Sequence, residues 1–223
     1  MDEIYAIIPV SKLNNAKTRL SPFLSPIERK NLLKSMLKDV VMALKKHVDE
    51  VIIISSDTDV LDYGKELRVV TLVEESNSNL NLALEQAMKW AEDKVSKIII
   101  VPSDLPLIAK SDLCRLINQG KSQDFIIAPS RGGGTNILII KPLTIKMEYG
   151  EDSFRKHVKE AIANNLPPLV YDSFFLSLDV NITEDLGEIL LHDEDSNTKN
   201  YLQTLNISVE PIHGVQRLKV SRK

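Results

Sequence analysis

Ile98-Ile99-Ile100-Val101-Pro102-Ser103-Asp104-Leu105-Pro106 is the stretch on which the fold turns. Four consecutive β-branched residues make a strand apolar on both faces, and burying both faces takes helices on each side of a sheet. Pro102 and Pro106 then stiffen the turn around Asp104. Similar apolar runs occur at Ile4-Tyr5-Ala6-Ile7-Ile8, Val51 to Ile54, Ile126-Ile127-Ala128 and Ile137 to Ile140. Between them the spacing becomes helical. Leu33, Met36, Leu37, Val40, Val41 and Leu44 share one helix face, and Leu80, Ala83, Leu84, Ala87, Met88 and Ala91 share another. Ser25-Pro26-Ile27-Glu28 marks the start of the first helix as a capping box with proline in the first turn. The order β-α-β-α-β-α-β-α-β predicts an α/β fold, a three-layer α/β/α sandwich around a mostly parallel mixed sheet.

Beyond residue 130 the rhythm loosens. A helix is predicted from Ser153 to about Asn164, with strands at Leu169-Val170-Tyr171 and at Phe174 to Leu178. A further helix starts near Thr183, and the polar run from His192 to Asn200 reads as a surface loop. The tail, residues 205–223, is strand-like from Ile207 to Val220, at a sheet edge or across a subunit boundary; the second option makes a homodimer the expected assembly. With no repeat or Gly/Ser linker, residues 1–223 read as one domain.

Composition removes several classes of function. Lys and Arg number 28 against 31 Asp and Glu, a net charge of −3, so no basic field exists for a nucleic-acid backbone. No apolar run approaches the ~18–20 residues that cross a bilayer. The opening Met1-Asp2-Glu3 is acidic where a signal peptide is basic, so a cytoplasmic protein without nucleic-acid or membrane partners is expected. The single cysteine, Cys114, excludes an internal disulfide, and beside Leu113 and Leu116 it reads as core. His47, His157, His192 and His213 show no metal-ligand spacing; His157 follows Ser153 on a helix, from which it could face the site, but reads first as a surface histidine.

In open α/β sheets ligands gather beyond the carboxyl ends of the strands, so the loops after the apolar runs are the places for chemistry. Pro9-Val10-Ser11-Lys12 through Lys17-Thr18-Arg19 carries three cations and no acid, a composition suited to phosphates or to a solvated surface loop. Asp104, held between two prolines, suits magnesium or an Asx turn. Asp179 and Asn181 alternate at a predicted strand end, so both face one side; they suit a second metal ligand or a helix cap. Gly132-Gly133-Gly134 and Gly150 allow main-chain N–H groups to approach an anion, or simply form turns. No GxSxG, HExxH, GxGxxG or GxxxxGK occurs, and no side chain stands out as a nucleophile. That absence points to a substrate that is its own nucleophile. A phosphate oxygen attacking the α-phosphorus of a nucleoside triphosphate needs positioning and charge neutralisation rather than a side-chain base.

Taken in order, these segments resemble the 2-phospho-L-lactate guanylyltransferase family of coenzyme biosynthesis. The matching pieces are Ile8-Pro9-Val10 with Lys12 and Ala16 to Leu20; Leu80-Asn81 with Ala83-Leu84; Pro102 to Pro106; Gly134-Thr135-Asn136; Gly150 with Ser153-Phe154 and His157; and Leu178-Asp179-Val180-Asn181 with Glu184-Asp185-Leu186. The resemblance implies a nucleotide-diphospho-sugar transferase-like fold of the glycosyltransferase-A type. It implies joining of GTP and 2-phospho-L-lactate to lactyl-diphospho-guanosine with release of pyrophosphate, on the route to the deazaflavin coenzyme of methanogens. Carried over by position, Pro9, Val10, Lys12, Lys17, Arg19, Asn81 and Asp104 bind the nucleotide, and Lys12, Lys17, Arg19 and Asp104 are catalytic. Asp104, Asp179 and Asn181 hold Mg2+, with an amide at Asn181 where the family has a carboxylate. Thr135, Gly150 and Ser153 hold the phospho-acid. Phosphoenolpyruvate or another phospho-acceptor on the same fold, and a non-catalytic nucleotide-binding protein, are the alternative readings.

Overall fold

A computed structural model of the chain describes residues 3–75, 79–212 and 218–222. Seven strands form one sheet in the order β3-β2-β1-β4-β6-β5-β7. They are β1 (Ile4–Pro9), β2 (Glu50–Ser55), β3 (Val70–Val73), β4 (Lys97–Ile100), β5 (Phe125–Pro129), β6 (Thr135–Ile140) and β7 (Leu169–Val170). All run parallel except β6, which is antiparallel to both β4 and β5. The reversal follows from the short Gly132-Gly133-Gly134 connection, since a turn of this length joins only antiparallel neighbours.

Alternate residues of each strand feed two separate cores. Ile4, Ala6, Ile8, Ile53, Ile99 and Ile139 pack with α1 (Pro26–Leu44), α4 (Leu113–Ser122), α6 (Thr183–His192) and α7 (Asn197–Thr204). Ile7, Ile52, Ile54, Ile98, Ile100 and Leu138 pack with α3 (Leu80–Ala91) and α5 (Ser153–Ala163). The remaining helix, α2 (Thr58–Glu66), leads into β3. These are the three layers that strands apolar on both faces require. The α1 cap forms as predicted: Ser25 N–H donates to Glu28 Oε2 at 2.8 Å and Ser25 Oγ accepts from the Glu28 N–H.

Four expectations are corrected. Phe174 to Leu178 makes turns, not a strand. Leu176, Leu178 and Val180 alternate into the core, but β7 ends at Val170 and no ladder partner is beside them. The polar run 192–200 contains the start of α7. Asp39, buried on α1, accepts from the Asn197 N–H at 2.9 Å and the Thr198 N–H at 2.8 Å, so a distant carboxylate satisfies that helix end. Cys114 is exposed, because α4 buries Leu113, Leu116, Ile117 and Gly120 and Cys114 is one step off that stripe. The tail adds no edge strand to the main sheet. It forms an antiparallel hairpin of its own, β8 (Ile207–Pro211) with β9 (Leu218–Arg222). The hairpin lies on α6 at Gly187, where an added Cβ would come within 2.9 Å of Val220 and 3.0 Å of Val209. Its apolar face packs against α6. His213 and its neighbours through residue 217 lie outside the described residues.

Candidate active site

Strand order reverses between β1 and β4: the chain builds outward from β1 to β3, then returns to lay β4 on the other side. A crevice opens beyond the carboxyl ends of strands at such a switch point. Here a cavity of about 290 Å³ is lined by Pro9, Val10 and Ser11 after β1 and by Pro102, Ser103 and Asp104 after β4. A larger open groove of about 960 Å³ between α3, residues 143–146 and α5 contains none of the candidate site residues. The smaller cavity is the candidate site, because Asp104 lines it and Lys17 is bonded to that carboxylate.

Lys17 is the hinge of that convergence. The loop after β1 folds into two short 3-10 turns, with Leu13, Ala16 and Leu20 buried beneath it. Buried Arg29 holds the loop from below, its guanidinium donating to Ala16 O at 3.3 Å and Leu24 O at 2.8 Å. Lys17 sits between the two turns at φ +54°, a left-handed conformation that strains a non-glycine residue and marks a position held for a purpose. Its ammonium is bonded to the Asp104 carboxylate and to Val180 O. Lys12 and Arg19 stay exposed and form no ion pair with any described residue.

Asp104 lines this cavity, and Asp179 lies near enough for the two charges to interact. The Val180 N–H donates to Asp104 O at 3.0 Å, stitching the two loops together. Burial first, and the charge of Asp104 second, push the Asp179 carboxyl pKa upward, against hydrogen bonds from Asn136 and Asn181. Asn136 donates to Asp179 Oδ1 at 3.2 Å and Asn181 Nδ2 to Asp179 Oδ2 at 2.5 Å. Neither aspartate caps a helix. The first turn of α6 is held by Asp185, which accepts from the N–H groups of Asn181 and Ile182 at 2.7 and 2.9 Å. Among the described residues no group of three His, Cys, Asp or Glu side chains is arranged for a metal. The residues here that could hold a metal are Asp104, Asp179 and, through its amide oxygen, Asn181. That number suits magnesium, which takes one or two carboxylates and completes its shell with substrate phosphates and water.

Thr135 and Ser153 form a second cluster at the start of β6. The Thr135 hydroxyl lies 2.9 Å from His157 Nδ1 and 3.4 Å from Ser153 Oγ. His157, predicted at the surface, is fully buried, because α5 turns Ser153, His157 and Ala161 inward at four-residue spacing. Its Nε2 accepts the Glu148 N–H at 3.0 Å, so in the neutral ring Nδ1 carries the hydrogen and donates it to Thr135. Burial lowers the His157 pKa to about 4 and keeps the ring neutral. Gly150, at φ +132°, adopts a conformation that L side chains rarely take, next to the start of α5. The N–H groups of Gly133, Gly134 and Phe154 are engaged within the loops themselves. The hydroxyls thus carry more of this cluster than the triple glycine suggested.

Asn81 stands apart from the expected nucleotide contacts. Its amide oxygen accepts the Tyr149 N–H at 2.8 Å and its Nδ2 donates to Tyr149 O at 3.2 Å, which ties α3 to the segment before Gly150.

The family model for guanylyl transferase CofC-like proteins matches residues 4–223. The chain belongs to this family. A 2-phospho-L-lactate guanylyltransferase from Methanobrevibacter smithii is 56% identical over 222 residues, covering 100% of this chain and 99% of the relative. One from Methanothermobacter thermautotrophicus is 51% identical over 217 residues, 97% of each chain. Among solved structures, a Desulfovibrio desulfuricans G20 protein provisionally assigned to the nucleotide-diphospho-sugar transferases superposes with a TM-score of 0.75 at 18% identity, over 92% of this chain and 95% of its own. A nucleotidyl transferase from Methanothermobacter gives a TM-score of 0.63 at 14% identity, over 92% and 100%. The fold expected from the sequence is the fold found. Within this CofC-like chain, sequence reading passed over Glu74, which lines the cavity, and misplaced His157. Glu74 follows a short strand without any motif around it. His157 had a signal in its four-residue spacing from Ser153 and Ala161.

Proposed function

We propose that the chain transfers the guanylyl group of GTP to the phosphate of 2-phospho-L-lactate, giving lactyl-2-diphospho-5'-guanosine and pyrophosphate on the route to the deazaflavin coenzyme, factor 420. The observation that carries this reading is the meeting of Asp104, Asp179 and Lys17 at the switch point, in a chain whose full-length relatives bear that name.

An acceptor phosphate oxygen attacks the α-phosphorus, one P–O bond forms, and the bond to the β-phosphate oxygen breaks as pyrophosphate leaves. No side chain needs to remove a proton, because the attacking group is already an anion. Lys12, Lys17 and Arg19 neutralise the triphosphate and the departing pyrophosphate. Asp104, Asp179 and the Asn181 oxygen would hold Mg2+, which when bound supplies charge neutralisation between the two anions. Thr135 accepts hydrogens from His157 and from Ser153, so its own hydroxyl hydrogen is free to donate to the phospho-acid. Gly150, beside Ser153, lets the main chain come close to that anion.

Purified chain with GTP, magnesium and 2-phospholactate should release pyrophosphate and yield a product of the mass of lactyl-diphospho-guanosine. Asp104→Ala should lower turnover by at least about 100-fold, as removal of a charge-stabilising group does, with the circular dichroism spectrum unchanged. A folded Asp104→Ala variant with near-normal pyrophosphate release would overturn the assignment.

A further inference from the structure

We infer that Glu74 reads the guanine base, its carboxylate accepting the two neighbouring donors, N1–H and the 2-amino group, on the Watson–Crick edge. This rests on the proposed use of GTP and names the group that selects it. Two acidic residues line the cavity beyond β1 and β4, Asp104 and Glu74, and no Lys or Arg does. Asp104 is committed to Lys17 and the phosphate end. Glu74 belongs to the opposite flank, where Ile54, Leu80 and Ala83 supply apolar wall for the faces of a flat ring. Leu80 is 45% exposed, an apolar side chain left at the surface of a site.

Glu74 is rigidly placed. Its N–H donates to Ser55 O at 2.9 Å, and the fully buried Ser55 in turn donates its hydroxyl to Val10 O at 2.7 Å. The end of β3 is thereby fastened to the end of β1, whose residues form the cavity floor. Glu74 forms no ion pair with any described residue, so its two oxygens are available. An ionised carboxylate only accepts hydrogen bonds. Guanine offers it two adjacent donors. Adenine presents the lone pair of N1 at the same place, and hypoxanthine lacks the 2-amino group. A site built around an acceptor disfavours bases that leave it unpaired, and Glu74 is half-buried.

The test compares GTP, inosine triphosphate and ATP on the wild type and on Glu74→Gln and Glu74→Ala, by calorimetric binding and by pyrophosphate release with 2-phospholactate. The wild type should prefer GTP to inosine triphosphate by about 10- to 100-fold, the worth of one hydrogen bond to a charged group. In Glu74→Ala that preference should fall to near unity, and in Glu74→Gln the GTP-to-ATP ratio should fall further, because an amide pairs with adenine through one donor and one acceptor. Unchanged ratios in both variants would overturn the inference. The two readings fail separately. Glu74-dependent binding preference without turnover would sink the reaction and keep the base reader, whereas full turnover with Glu74-independent ratios would do the reverse.

Discussion

His157 is neutral in the folded chain and carries a proton in the unfolded chain over the interval between about 4 and its ordinary 6.5. Within that interval the unfolded state binds more protons, so stability rises with pH and is lost as pH falls from 6.5 toward 4. The loss amounts to roughly 3 kcal/mol at most. Chemical denaturation at several pH values should show this slope, and His157→Gln should flatten it while raising KM for the phospho-acid more than KM for GTP. Tyr149 packs edge-on against that ring at 4.8 Å, and its buried hydroxyl has no partner among the described residues. Tyr149→Phe removes the unpaired group, so unfolding should cost the same or about 1 kcal/mol more than in the wild type, read from the urea midpoint. Asp104 was legible in the sequence because a charged residue just past an apolar strand has one place to go, whereas Asp179 was read from a strand that the structure replaces with turns and Lys17 only as one of three cations in a loop. His157 was not, because a histidine flanked by Lys156 and Lys159 looks solvated until a distant segment is seen to cover it.

At the level of elements, the strands and the helices α1, α3 and α5 could be read locally from their periodicity, with local caps at Ser25 and Asn79 for the first two. Helix α7 was passed over although Ser196 caps it locally, and its first two N–H groups are satisfied by Asp39, 158 residues away from Asn197. The C-terminal hairpin was hidden: a strand-like tail says nothing of its partner. The structure gives two anchors. Gly187 of α6 leaves room for Val209 and Val220, and Arg222 grips Glu28 with both ends of its guanidinium, at 2.5 and 3.1 Å. The hydrogen bond from Arg222, then the Ser25 N–H, lowers the Glu28 pKa to about 2, so the anchor persists until pH falls toward that value. Gly187→Val should destabilise the protein by about 1–3 kcal/mol through overpacking. It should also raise amide exchange in Ile207–Pro211 and Leu218–Arg222 far more than in the central sheet.

For the whole molecule, the sequence announced three layers because strands apolar on both faces demand them, and the short triple-glycine turn that reverses β6 was visible in it, whereas the position of β6 between β4 and β5 emerged only from the pairing itself. The net charge of −3 repels a triphosphate at long range, so capture depends on the local cations Lys12, Lys17 and Arg19 and weakens as salt screens them. Magnesium–GTP at a hundred times its dissociation constant should stabilise the native state by about 2.7 kcal/mol. The rise in melting temperature should vanish in Asp104→Ala; a shift of equal size in that variant would count against a nucleotide held through this carboxylate.

Strand β6 opens with Thr135 and Asn136, the first hydrogen-bonded to His157 and the second to Asp179. Two consecutive residues of one backbone therefore serve the two halves of the proposed reaction. Anyone redesigning the enzyme for a bulkier acid inherits that linkage: remodelling the strand's first residue displaces the second, and with it the carboxylate beyond. Diversification has a freer hand at Gly132, where an added Cβ meets nothing within 4 Å and the backbone needs no left-handed conformation.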